Sequence, residues 1–401
     1  MKNTIIVFGG STNALGQIRA SHEAGYRCIN IVEDCMHSWS RKSNLCEGYL
    51  APHPFNEKEK CLAFIKDIIA KIDSKPFLLF ASDDWMTLIG ENEAEFKKIA
   101  NIPQLAWEKM SNLYDKKYLY RIAEEKGIPY PRTKEIESLK ELADTISDLQ
   151  APYIVKPQET TSANLIAKAG IKAFHRTQKF ETKEDLIKWV NTLLEHNVDF
   201  PLLLQEFIPG DATALYTLTS YSDKNGDLVA GSVGHKLRQF PPVAGRITSG
   251  VLEHNNEMFE LGRDFLKAVG YHGLANTEFK YDKRDGKFKL MEINTRLGAW
   301  NYSTLFAGLN LVKIAVDDTL GKKYDGPEYL TDKDGKIWYN FLQDFSGAVI
   351  MNGRIGEKAF QLSPWQWRKS LKGISFEAIW SWRDPKPFVF SFLYLAKKAF
   401  S

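Results

Sequence analysis

Two alternating segments separated by a polar turn constrain this chain most. Asn276-Thr277-Glu278-Phe279-Lys280 and Leu290-Met291-Glu292-Ile293-Asn294-Thr295-Arg296 flank Tyr281–Lys287, which contains the pair Asp285-Gly286. Alternation on both sides of an Asp-Gly turn predicts a β-hairpin. Side chains on a strand alternate faces, so Glu292 and Asn294 point the same way, with Arg296 next along. A register centred near Asp285 sets Glu278 opposite Glu292. Like charges so placed destabilise a sheet unless something positive lies between them. Two carboxylates and an amide oxygen form a hard donor set suited to Mg²⁺, leaving coordination positions for phosphate oxygens. The plainer alternative is an exposed hairpin with scattered charges.

The chain ahead of the hairpin alternates strands with helices. Thr4–Phe8 is a short apolar run, and Gly9-Gly10-Ser11 leads into a helical pattern reaching Gly25. Cys28–Val32 and Phe77–Ala81 are further strands, the latter followed by Ser82-Asp83-Asp84. Such alternation predicts a parallel, doubly wound sheet. Ligands bind such sheets beyond the carboxyl ends of the strands. The glycines depart from G-x-G-x-x-G, which excludes a nicotinamide site of that kind. Gly9, Gly10, Ser11 and Asp84 are either acceptor-site candidates or ordinary turn residues.

Several cationic and apolar elements follow. A helix is predicted over Lys116–Lys126, stopped by Gly127-Ile128-Pro129. Tyr153–Lys156 reads as a buried strand ended by Pro157. Leu202-Leu203-Leu204-Gln205-Glu206-Phe207-Ile208-Pro209-Gly210-Asp211 is an apolar strand entering a tight bend. A second hairpin is expected from Tyr216–Ser222 and Leu228–Gly234. Beyond it, Lys236 and Arg238 share a face if period two holds, with Arg246 nearby. Guanidinium and ammonium groups suit carboxylate and phosphate oxygens. Met258–Val269 reads as an amphipathic helix, and His272 as structural.

Taken together, the E…E-x-N-x-R hairpin, the separated Lys116 and Lys156, and the Q-E-F-I-P-G bend resemble the ATP-grasp superfamily. The resemblance runs over residues 1–325 and is strongest to carboxylate–amine ligases such as D-aspartate ligase, and to the carbamoyl phosphate synthetase large subunit. It implies an α/β (α+β) protein in three parts. These are an N-terminal doubly wound domain over 1–110 and an ATP-grasp domain over 111–325 with a lid near 130–204, followed by a C-terminal segment over 326–401. The implied ligands are ATP and two Mg²⁺ ions, with Mn²⁺ able to substitute. The metal residues are Glu278, Glu292 and Asn294. Lys116 and Lys156 contact ATP phosphates; Gln205, Glu206, Phe207 and Ile208 face adenine; Asp211 meets the ribose. Arg296 stabilises an oxyanion, while Lys236, Arg238 and Arg246 serve the reacting carboxylate and the transferred phosphate. Residues 158–164 occupy the place of a phosphate-covering loop, with hydroxyls where glycines are usual, and Lys172 is a further phosphate candidate. The expected reaction joins a small carboxylate to an amine through an acyl phosphate. An ATP-grasp kinase and a non-catalytic nucleotide-binding protein are the rivals.

Charge and composition narrow the partners and the compartment. A formal net charge of +3 over 401 residues does not suggest nucleic-acid binding. From Arg354 onward there are nine Lys/Arg against three Asp/Glu, a local charge of +6. Trp365, Trp367, Trp380 and Trp382 lie in the same segment, ahead of the apolar run Phe388–Ala396. Basic residues and tryptophans beside such a run suit a membrane interface over 365–398; packing onto the core is the alternative. Cys28, Cys35, Cys46 and Cys61 fit no usual zinc spacing and read as free thiols of a reducing cytosol. The apolar run at the start is too short for a signal peptide. A cytoplasmic protein is expected, with peripheral membrane contact and a dimer both compatible.

Overall fold

The computed structural model describes residues 2–142, 146, 149–157, 178–241, 245–329, 335–351, 361–373 and 375–400, excluding the side chains of Pro157 and 396–400. The chain forms two compact units. The first comprises Met1–Ile128, Asp211–Phe279 and Glu292–Ser401; the second comprises Pro129–Gly210 and Lys280–Met291.

The N-terminal part of the first unit is a four-stranded parallel sheet. Its strands are β1 (Thr4–Phe8), β2 (Arg27–Glu33), β3 (Glu47–Ala51) and β4 (Phe77–Phe80), in the order β3-β2-β1-β4. Every residue of β1 is buried. Ile5 and Val7 enter one apolar cluster, with Ala14, Ile18, Phe77 and Leu79; Ile6 and Phe8 enter another, with Ile29, Leu78, Ile65 and Trp85. A parallel strand covered on both faces must be apolar throughout, which is why Thr4–Phe8 shows no alternation. The sequence-predicted strands are present. β3 is the addition; only its last residue, Ala51, is buried, so it lacks the apolar run that marks the other strands.

The second unit contains β5 (Thr133–Ile136), β6 (Tyr153–Pro157), β7 (Gln178–Phe180) and β8 (Leu202–Glu206), ordered β5-β8-β6-β7 and antiparallel. Helix Lys183–Glu195 covers the sheet with Leu186, Val190 and Leu193. Thr182 caps it by accepting the Asp185 N–H, and Glu184 and Asp185 complement the helix dipole in the first turn. The expected lid, near 130–204, falls within this unit. Lys280–Met291, the outer part of the predicted metal hairpin, also belongs here. Leu290 N–H donates to the Pro129 carbonyl at 2.7 Å, so the hairpin tip has its own backbone anchor.

A seven-stranded sheet is built from β9 (Leu215–Ser222), β10 (Leu228–Phe240), β11 (Arg246–Leu252), β12 (Gly273–Asp282), β13 (Lys287–Asn294), β14 (Ile337–Tyr339) and β15 (Ser375–Glu377). Its order is β13-β12-β9-β10-β11-β14-β15. Both predicted hairpins are present. At the β12–β13 turn, Gly286 adopts φ +71° and its N–H donates to the Asp282 carbonyl at 2.8 Å. That left-handed conformation is open to glycine at little cost.

The last segment is part of the first unit. β14 and β15 extend the large sheet. Arg19 donates to the carbonyls of Ala378 at 3.0 Å and Ile379 at 2.5 Å. The fully buried Asp384 accepts from the Ser43 hydroxyl and the Asn44 N–H. Trp338 and Trp367 are buried, whereas Trp365 and Trp382 are 76% and 87% exposed. Core packing thus accounts for only some of the tryptophans that the sequence places here.

Candidate active site

The predicted hairpin brings its acidic residues together with two lysines from other elements of the first unit. Glu278 lies on β12, Glu292 and Asn294 on β13, and Lys236 on β10. Lys236 Nζ donates to Glu278 Oε2 at 3.2 Å, with 9% and 19% of the two side chains exposed. Lys116 opens helix Lys116–Glu125, where Asp115 caps by accepting the Lys117 N–H. Its Nζ lies 3.7 Å from Glu292 Oε2. Asn294 Nδ2 lies 3.4 Å from Glu292 Oε1.

In this cluster each carboxylate faces a lysine, yet the two carboxylates also act on each other. Burial pushes the Glu278 carboxyl above the ordinary carboxylate range; Lys236 opposes the shift, and Glu292 reinforces it. A carboxylate held partly desolvated beside a second one favours an added cation. The oxygen donors and the spacing of Glu292 and Asn294 suit Mg²⁺. Among the described residues there is no group of three or more His, Cys, Asp or Glu able to hold a metal. Two carboxylates and an amide do not enclose a cation, so phosphate oxygens would have to supply further ligands, as is common for Mg²⁺. The four cysteines are free thiols, and burial raises all four, Cys35 to about 11 and Cys46 and Cys61 to about 12.

Arg296 follows the hairpin and is held by the helix that follows β4. Its Nε and Nη2 donate to Asp83 Oδ1 and Oδ2 at 2.8 and 2.9 Å. Asp83 begins helix Asp83–Gly90, beyond the carboxyl end of β4. The neighbouring Thr295 hydroxyl meets the Tyr114 hydroxyl at 2.9 Å. The fork of Arg296 is therefore oriented by a carboxylate that sequence reasoning passed over in favour of Asp84. At the carboxyl end of β1, Gly9 and Ser11 have φ +98° and +69°, and Ser11 N–H donates to the His37 carbonyl.

The structure separates Lys236 from Arg238. A register irregularity lies between them where β10 meets β11, so strict period two does not hold there. Arg238 donates to both oxygens of the fully buried Asp344, at 2.6 to 3.1 Å, and to the Ser370 hydroxyl at 2.9 Å. Asp344 also accepts from Thr248 and the Trp367 indole. This corrects the expected shared face: Arg238 ties the C-terminal segment to the large sheet, whereas Lys236 serves the acidic cluster. Arg246 is exposed at the start of β11. Asp211 accepts from the Thr213 N–H and hydroxyl. His272 belongs to a structural network in which the Tyr221 hydroxyl donates to Asp318 at 2.7 Å and lies 3.4 Å from His272 Nε2.

The second unit carries the remaining nucleotide candidates. Lys156 Nζ donates to Gln205 Oε1 at 3.0 Å, and Gln205 Nε2 donates to the Thr133 hydroxyl at 2.8 Å. The β6–β8 pairing brings these side chains together by setting Ile154 opposite Gln205 and Lys156 opposite Leu203. The buried Glu206 accepts the Gln150 N–H at 3.1 Å and faces Arg132 and Arg284 at 3.7 and 4.0 Å. Phe207 N–H donates to the Pro152 carbonyl at 2.8 Å. The ammonium groups of Lys179 and Lys280 stand 4.2 and 4.4 Å from the Phe207 ring centre, and Ile208 is buried. Lys179 and Lys280 had no sequence signal, because only the paired strands bring them to the ring. Residues 158–164 and Lys172 lie outside the described residues.

The chain is similar to several known proteins. Residues 200–340 match the family described as ATP-grasp in the biosynthetic pathway with Ter operon. The chain is 26% identical to D-aspartate ligase of Enterococcus faecium (strain Aus0004) over 344 residues, covering 83% of this chain and 81% of that protein. The fold resembles L-amino acid ligase from Bacillus licheniformis, with TM-score 0.57, 14% identity, and coverage of 80% of this chain and 74% of that one. It also resembles N5-carboxyaminoimidazole synthetase from Staphylococcus aureus complexed with ADP, with TM-score 0.60, 13% identity, and coverage of 82% and 80%. Residues 200–340, which include the hairpin and Lys236, are thus similar to an ATP-grasp family, and the fold as a whole resembles those of the two solved enzymes.

Proposed function

We propose that the protein is an ATP-dependent carboxylate–amine ligase that joins amino-acid-like substrates and releases ADP and phosphate. The observation that carries this reading is the cluster of Glu278, Glu292 and Asn294 with Lys236 and Lys116. It sets a hard-cation donor set on the large sheet beside two lysine ammonium groups, Lys236 from the same sheet and Lys116 from the helix Lys116–Glu125. Relatives named D-aspartate ligase and L-amino acid ligase support amino acids as the substrate class.

In the proposed reaction, a substrate carboxylate oxygen attacks the γ-phosphorus of ATP and ADP departs. The amine nitrogen then attacks the carbonyl carbon of the acyl phosphate, loses a proton, and phosphate leaves. Lys116 and Lys156 offset charge on the phosphates. Arg296, oriented by Asp83, donates to the oxyanion of the tetrahedral intermediate. Lys236, which donates to Glu278, also serves the transferred phosphoryl group in this reading; Arg246 supplies a further cation for the carboxylate. Gln205, Glu206, Phe207 and Ile208 take the adenine, and Asp211 the ribose. Glu278, Glu292 and Asn294 would hold Mg²⁺, which screens charge on the phosphate oxygens.

The test pairs amino acids in an ADP-release screen, with the carboxylate oxygens labelled as ¹⁸O. A ligase transfers one ¹⁸O from the carboxylate to the released phosphate and forms an amide. Amine-independent ADP release with a stable phosphorylated product would identify a kinase instead. No ADP release with any pair, despite ATP binding, would favour a non-catalytic nucleotide-binding protein.

A further inference from the structure

We propose that the C-terminal helix, Lys386–Phe400, is a docking surface for anionic lipid bilayers, lying in the interface without crossing it. One side of this helix packs on the protein. Pro387 and Ser391 are buried there, and the Tyr394 hydroxyl meets Ser38 at 3.0 Å. Phe388 stacks edge-on against Trp380, and the Lys42 ammonium stands over the Phe390 ring.

The opposite side is apolar and faces outward. Val389, Phe392 and Leu393 are 49%, 55% and 53% exposed. Their spacing of i, i+3 and i+4 places them on one stripe, and the exposed Lys386 lies one turn before it. Just ahead of the helix are Trp382 and Arg383, both exposed. Such a grouping exceeds the scattered apolar residues of an ordinary surface.

Charge decides the occupant. Residues 382–398 contain Arg383, Lys386, Lys397 and Lys398, with a single acid, Asp384. Asp384 is fully buried and its oxygens accept from Ser43 and Asn44, so it contributes nothing to the outer face. A second copy meeting this face through a two-fold axis would set cations against cations. An anionic bilayer complements both features: lipid tails accept the apolar stripe, headgroups the basic residues, and an exposed tryptophan suits the boundary between them. Among the described residues no helix is long and apolar enough to cross a membrane, which fits an interfacial placement.

The experiment is sedimentation of the full chain with vesicles of phosphatidylcholine alone or with one quarter phosphatidylglycerol. Binding should appear with the anionic vesicles and weaken as NaCl rises from 0.1 to 0.5 M. Two charge reversals, Arg383→Glu with Lys386→Glu, should lower the partition coefficient by at least about tenfold, since each basic residue near such a surface contributes roughly fivefold. Phe392→Ser with Leu393→Ser should also abolish pelleting. Because these residues are exposed, the variants should keep the parent melting temperature. Equal binding to both vesicle types, absence of binding at low salt, or lipid-free light scattering showing a dimer that the Phe392 and Leu393 changes dissociate would each overturn the proposal.

Discussion

Replacing Lys236 with methionine isolates the energetics of the acidic cluster. The substitution keeps the length of the side chain and removes its charge. At 3.2 Å and an effective dielectric constant near 20, the Lys236–Glu278 attraction is about 5 kcal/mol. Breaking a largely buried pair by removing one member costs about 3–5 kcal/mol, because the other charge stays desolvated. The cost depends on pH in a defined direction. Burial already places the folded-state pKa of Glu278 above its ordinary value, and the loss of Lys236 raises it further. Between the unfolded and folded pKa values the native state holds the extra proton, so stability falls as pH rises through that window. The variant should therefore lose less at pH 5 than at pH 8. Urea unfolding of the metal-free and nucleotide-free protein at both pH values measures this. Lys236→Met with Glu278→Gln should recover most of the loss at pH 8. An equal loss at pH 5 and pH 8, or none at pH 8, would refute the reasoning.

Three further outcomes are expected. Glu292→Gln removes a half-exposed carboxylate that raises Glu278, so the apo protein should melt at or above the parent temperature, while Mg²⁺-dependent ADP release drops by orders of magnitude; parental turnover with parental stabilisation by Mg²⁺–ATP would remove the hairpin from the site. Lys156→Ala should weaken ATP binding at least tenfold in calorimetry while leaving the melt nearly unchanged, because Lys156 lies near the end of β6 and donates to the neutral Gln205; unchanged affinity would exclude it. Asp344→Asn strands Arg238 in a buried setting and should destabilise the fold by about 3–5 kcal/mol, with early proteolysis after residue 345; a parental unfolding curve would show that the C-terminal segment is not held there.

Much of this protein is decided by local sequence. The parallel strand Thr4–Phe8 is legible because a strand covered on both faces must be apolar throughout. The hairpin around Asp285-Gly286 is legible because turn chemistry and alternation agree. That agreement placed Glu278 and Glu292 on neighbouring strands, and resemblance of the surrounding motifs supplied ATP, Mg²⁺ and the lysines. The bulge on β10 was hidden because it arises from pairing with β11, and the sequence Lys236-Leu237-Arg238 alternates as an unbroken strand would. Asp83 could not be matched to Arg296, nor Asp344 to Arg238, because ion pairs spanning 213 and 106 residues are made by tertiary packing. The same holds for the C-terminal tryptophans. Composition brings Trp365, Trp367, Trp380 and Trp382 into one segment, and only the fold buries Trp367 and leaves Trp382 facing outward. Sequence determines which chemistry is available along each strand; the tertiary structure decides which charges find partners, because burial and partner distance are properties of packing.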